Sequence, residues 1–262
     1  MFKNTFLKTL FTKRWMLISW CAGIAALVIF TMAFYPTLSK SFGELKDIPE
    51  SLKSFVGDAS TYSTITGYTD LQVFAQLNTM TIIFGIILFT GLLAGEETEG
   101  TLQTLLAQPV ERSRVYWEKL VAALVLLGVA CLSIAIGVII GLAFIGESMS
   151  IGRLLAATLA TWLISLVFST LGYSIGAITG KRGIAGGLVG ALAFTSLLVT
   201  SLAESVDSLK AADKLSPFHY FNKPGILQHG PDWGNMAVLA IISIVALIIG
   251  GILFKRRDIY QN

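Results

Sequence analysis

Few residues in this chain are equipped for chemistry, and their spacing defeats each chemistry they suggest. Gly176-Ala177-Ile178-Thr179-Gly180-Lys181-Arg182 echoes a phosphate loop. In such a loop, glycines let backbone N–H groups cradle a phosphate while the lysine reaches its outer oxygens. Here one residue is missing between the glycines, and no Ser or Thr follows the lysine to meet magnesium. An apolar helix also stands where a strand is required. Glu96-Glu97 at the end of an apolar run, with His219 and His229, are the raw material of an intramembrane zinc hydrolase. Such a site needs several ligands converging on one ion, and both histidines fall in one loop outside the apolar runs. Cys21 and Cys131 lie within runs and read as packing residues, without a disulfide or metal-site pattern. The expectation is therefore a chain with no catalytic residue, no metal and no cofactor of its own, and without a nucleic-acid partner.

Milder polarity lies inside the apolar runs. Gln76 and Asn78 sit in the second, and Thr158, Trp162, Ser165, Ser169 and Tyr173 fall on one helical face of the fourth. They are candidates for lining a transport pathway, or for hydrogen bonds between helices, which are modest in energy. There is no charged pair to act as a proton or ion relay.

The insert at 95–119 is of another kind. Glu96, Glu97 and Glu99 stand at its start, where carboxylates suit a helix dipole. Leu102, Leu105 and Leu106 follow at i, i+3 and i+4, one apolar stripe on a short helix. Pro109 restricts Gln108 and ends it, and Arg112, Arg114 and Lys119 mark the return to apolar sequence. Such a stripe must be covered by lipid, by its own chain or by a partner.

The elements that hold these residues follow from composition. Of 262 residues, 54% are hydrophobic and 13% charged, outside the range of soluble domains. About 20 apolar residues cross a bilayer as a helix, and six segments meet that: 15–35, 73–94, 120–145, 154–178, 184–203 and 236–254. None contains Lys, Arg, Asp or Glu. The fold class is thus an all-α membrane protein of six spans, read as one transmembrane domain over 1–262. The first segment is too long for a signal peptide, and Tyr35-Pro36 replaces a cleavage site. Residues 1–14 form an interfacial helix, with Phe2, Phe6, Leu7, Leu10 and Phe11 opposite the lysines.

With both termini inside, the cytoplasmic side holds Lys3, Lys8, Lys13, Arg14, Arg112, Arg114, Lys119, Lys181, Arg182 and Lys255 to Arg257, twelve of the 19 basic residues. The seven others lie outside, which satisfies the positive-inside rule. Two segments lie outside: 36–72, with Leu45, Ile48, Leu52, Phe55 and Val56 at helical spacing, and 204–235, rich in aromatics. Small residues repeat every fourth position in Gly172/Gly176/Gly180, Gly183/Gly187 and Gly186/Gly190, spacing that lets helices approach closely. No connecting segment reaches the ~50 residues of an independent domain, so ATP-driven work would come from another chain.

In order, Glu97, Gly100-Thr101-Leu102, Leu105-Leu106, Pro109-Val110, Arg112 and Lys119 resemble the loop after the second span in membrane subunits of ABC-2-type ABC exporters. Leu215-Ser216-Pro217-Phe218-His219-Tyr220, the six spans, the N-terminal helix and the inward termini are also similar to that family. The resemblance covers essentially the whole chain. It implies that 95–119 is a coupling-helix insert, with Glu96, Glu97, Gly100, Thr101, Leu102, Leu105, Leu106, Pro109 and Arg112 docking in a groove of a separate ATPase. It further implies two ATPase subunits, which hold the ATP and Mg, and a second permease copy or homologue, all at a prokaryotic cytoplasmic membrane. Segment 204–235 would form re-entrant helices, with Pro217, Phe218, His219, Tyr220 and Phe221 as an extracellular gate. The charge-free spans favour an amphipathic or hydrophobic cargo, such as a peptide, an antibiotic or a lipid-like molecule. The rival reading is a subunit that uses the same ATPase contact for signalling or sensing, with no net cargo movement.

Overall fold

The computed structural model describes residues 4–44, 59–106, 111–203, 206–221 and 225–257. These are helical between short turns, with no strand among the described residues. Among the described residues, six helices are long and apolar enough to cross a membrane. They are α1 (Thr5–Ala33), α4 (Ile65–Thr98), α6 (Arg112–Ile145), α7 (Ile151–Thr179), α8 (Arg182–Ala203) and α12 (Trp233–Arg256). Shorter helices connect them: α2 (Tyr35–Glu44), α3 (Ala59–Tyr62), α5 (Thr101–Leu106), α9 (Lys210–Asp213), α10 (Pro217–Phe221) and α11 (Ile226–His229).

Three of these helices run past the apolar segments they contain. Residues 5–14 are helical but continue into the first span without a break, because no proline or turn residue interrupts them. The second long helix begins at Ile65, carrying Asp70 inside it, and the carboxyl has a partner in the Leu227 N–H. The third begins at Arg112 and buries Lys119. The helical spacing over Leu45 to Val56 lies outside the described residues. Both α6 and α7 stop at glycines with positive φ, Gly146 (74°) and Gly180 (66°), the left-handed cap that a Cβ disfavours.

Helix α7 is the hub, packed against α4, α6, α8 and α12. Helix α1 lies along α6, where Gly137 and Gly141 admit Val28 and Met32; a Cβ on either glycine would meet those side chains at 2.9 and 2.6 Å. Outward faces are apolar, with Phe30, Ile136, Phe144, Phe194 and Ile241 exposed, as a surface in lipid requires. One core cluster fills the middle and the end carrying 95–119, built around Phe84, Phe89, Tyr116, Phe168 and Tyr173. A second lies at the far end around Tyr35, Tyr68, Phe74, Leu154 and Leu227. Helix α4 is not uniform: Asp70–Leu77 and Gly91–Gly95 are π-helical, a wider turn that recurs at functional sites.

Candidate functional site

At the 95–119 end, the two glutamates after the second π stretch are tied to neighbouring helices. Glu96 pairs with Lys119 of α6, whose ammonium also donates to the Leu92 carbonyl at 2.7 Å. The Lys119 side chain is 1% exposed and that of Glu96 25%. Glu97 takes both guanidinium ends of Arg257, just beyond α12, and Arg257 Nη1 also donates to the Ala177 carbonyl of α7 at 3.0 Å. Arg112 donates to the Arg257 carbonyl at 2.7 Å. The ends of α4, α6, α7 and α12 are thus joined through two carboxylates. Gly180 makes this possible: a Cβ there would strike Arg257 and Glu97.

From this braced base the chain turns at Gly100 (φ 73°) into α5, and Thr101 Oγ1 donates back to the Glu96 carbonyl at 3.1 Å. Leu102 is fully buried in the main core and Leu105 packs half-buried beside it. The predicted leucine stripe is therefore covered in good part by its own chain, and the face left to solvent is Thr101 and Thr104. The Leu106 side chain and Pro109 lie outside the described residues.

The candidate pathway residues divide. Ser165, Ser169 and Tyr173 face α4 along a parallel seam. Ser165 and Thr81 share a hydrogen bond of 2.8 Å, Ser169 sits against Gly85, and the Tyr173 ring meets Phe89 at 5.9 Å. The Tyr173 hydroxyl donates to the Tyr116 carbonyl at 2.7 Å. Asn78 is fully buried in the same helix pair, Thr158 returns its hydroxyl to Leu154, and Trp162 is half-buried. Gln76 is exposed on α4, away from them.

At the far end, α10 dips into the bundle. Phe218 meets Phe168, well inside α7, with ring centroids 5.5 Å apart. Ser216 anchors this helix: its Oγ accepts from Phe218 N at 3.2 Å and donates to the Ser196 carbonyl of α8 at 3.1 Å. Pro217, Phe218 and Phe221 are buried, while His219 and Tyr220 lie nearer the surface, the first on Asp213 and the second on the Lys214 carbonyl. Beyond it α11 is held at both poles. Asp70 accepts the Leu227 N–H at 3.2 Å, and Arg153 Nη1 donates to the Leu227 and Gln228 carbonyls at 3.0 and 2.9 Å. Acid at the amide pole and base at the carbonyl pole suit the local dipole. The sequence reading left Asp70, Arg153 and Arg257 without a role. The available signal was an acid and a base each adjoining an apolar run.

The model of the family described as "Multidrug efflux system permease Rv1217c, C-terminal domain" matches residues 9–255. The chain belongs to that family. It is a multi-pass membrane permease, and the seam, the braced 95–119 end and the dipping far-end helices are parts of an efflux permease. Among curated proteins none matches the chain.

Proposed function

We propose that this permease is the membrane half of an ATP-driven exporter of the ABC-2 type, docking separate ATPase subunits through α5. Its termini and the 95–119 end would face the cytoplasm, in line with the distribution of Lys and Arg. The observation that carries the reading is the mounting of α5. A six-residue helix stands on a base where Glu96 and Glu97 are pinned to α6 and α12. A push on α5 reaches four spans through charged contacts instead of being lost in a loose loop. Two ATPases, holding ATP and Mg, would act on two permeases, this chain and a second copy or homologue. Gly183, Gly186, Gly187 and Gly190 on α8 have open space where a Cβ would stand, which suits close approach of such a partner. Closure of the ATPases would shift spans α4 and α6, an alternation between two states. The dipping far-end helices would serve as the gate. The charge-free apolar segments of the spans favour amphipathic or hydrophobic cargo.

The test is a mild-detergent pull-down of the tagged chain, with the eluate assayed for ATP hydrolysis. Leu105→Asp should abolish co-purification of the ATPase. Because Leu105 also packs on the core, Thr104→Trp on the exposed face separates docking from folding. It should cut ATPase recovery at least tenfold while the permease inserts normally. Undiminished recovery with Thr104→Trp would defeat the docking assignment.

A further inference from the structure

We propose that Asn78 and Trp162 together receive a hydrogen-bond acceptor, such as a ketone or ether oxygen, carried by an uncharged and largely apolar cargo. The proposal rests on the permease reading, because it names what such a permease would select. It starts from the register of the α4–α7 seam. Thr81 meets Ser165, Gly85 meets Ser169 and Phe89 meets Tyr173, a constant offset of 84 residues. One turn further along, the same offset aligns Asn78 with Trp162. Trp162 lies seven residues before Ser169, which returns it to nearly the same helical face.

The other polar groups of this seam are satisfied. Thr81 donates to the Asn78 carbonyl at 2.7 Å, Ser169 to the Ser165 carbonyl at 2.6 Å and Thr158 to Leu154 at 2.8 Å. Asn78 Nδ2 and Trp162 Nε1 are buried and have no hydrogen-bond partner among the described residues. Thr79 donates to Asn78 Oδ1 at 3.4 Å, a long bond that leaves the Nδ2 hydrogens without a partner among the described residues. Two donors held this way carry a desolvation penalty that an acceptor would lift. Beside Trp162 Nε1 stands Gly128 of α6, where a Cβ would lie 3.6 Å off, so at that position no side chain stands against the indole. The π stretch Asp70–Leu77 ends at Asn78, giving α4 an irregular turn at this layer, as π-turns at functional sites do.

The chemistry of the pair sets the class of ligand. Two neutral N–H donors among apolar side chains can satisfy a carbonyl or ether oxygen. They cannot compensate a buried carboxylate, which needs a counter-charge. Charged efflux substrates would have to be met elsewhere.

The test uses a matched pair of probes on the purified full chain in nanodiscs. 9-Fluorenone carries a ketone oxygen; fluorene has the same ring skeleton without it. Affinities come from titrated shifts in unfolding temperature. The five tryptophan indoles are followed by NMR, with Trp162 assigned through its loss in Trp162→Phe. Fluorenone should bind about tenfold more tightly than fluorene, the value of one hydrogen bond. It alone should move the Trp162 N–H resonance downfield. Asn78→Leu or Trp162→Phe should bring the two affinities together without lowering the unfolding temperature, since each removes an unmatched donor. The proposal falls if the two probes bind alike, or if the preference survives both substitutions. It also falls if both variants lose stability and both probes together, which would make the residues structural. None of these readouts needs an ATPase, so a failed pull-down and a failed probe preference remain separate results.

Discussion

Charged residues hold short helices at both ends of this bundle, but by different bonds. At the 95–119 end, side chain binds side chain: Glu96 to Lys119, and Glu97 to Arg257. At the far end, side chain binds backbone: Asp70 and Arg153 grip the two poles of α11. The first kind joins span to span directly, and breaking it strands a charge where water is scarce. The second joins two spans through a four-residue helix, and breaking it frees neutral backbone groups of that helix and strands no charge pair. The comparison teaches where stiffness and where release are built in. On the proposed function, the first end would transmit force from the ATPases and the second would open as the gate.

The largest effect should come from breaking the stiff end. Glu96→Gln leaves the Lys119 ammonium, 1% exposed, with neutral acceptors and no counter-charge. Removing one partner of a buried pair costs about 3–5 kcal/mol. Lys119→Met should cost clearly less, because the Glu96 side chain is 25% exposed and can turn to water. The double variant should recover most of the loss. Equilibrium unfolding in detergent checks this ordering. A higher cost for Lys119→Met than for Glu96→Gln would mean that the carboxylate, and not the ammonium, is the trapped charge.

At the far end the expected effect is smaller and local. Asp70→Asn weakens the carboxyl's bond to the Leu227 amide, worth about 1 kcal/mol, and Arg153→Gln frees two carbonyls at the opposite pole. Global unfolding should barely move. A cysteine placed at Gln228 should instead react several-fold faster with a membrane-impermeant maleimide in either background. If labelling stays unchanged while global stability falls, α11 is part of the rigid core and the contrast between the ends disappears.

Apolar run length made the six spans legible, and the acid–leucine–proline–base order made the insert legible. What sequence withheld was pairing across long separations. Lys119 reads as a loop charge because its burial depends on Glu96, 23 residues away. Arg257 is one of three consecutive bases, and only the fold selects it for Glu97, 160 residues earlier. Leu102 and Leu105 illustrate the converse. Their periodicity was visible, but whether core, lipid or a partner covers them depends on where Gly100 turns the chain. The fourth-span polar face was also visible as a face. That α4 fills it, in a parallel register offset by 84 residues, follows from interlocking shapes such as Gly85 against Ser169.

The smallest effect belongs to the seam between the ends. Thr81 already spends its proton on the Asn78 carbonyl at 2.7 Å, so Ser165 is the donor in the 2.8 Å bond that joins the two hydroxyls. Ser165→Ala removes that one bond yet leaves every proton placed. Hydrogen bonds between helices in a membrane average about 0.6 kcal/mol, and Ser165→Ala should cost no more than that in the same unfolding measurement. Thr81→Val should cost about the same, because the Ser165 hydroxyl can turn to a carbonyl of its own helix. Such small values would mean that shape holds α4 against α7, so the helices can part during transport without stranding a polar group. A cost near that of Glu96→Gln would mean the reverse. The seam would then be as rigid as the charged end, and motion between the two spans could not be the step that admits cargo.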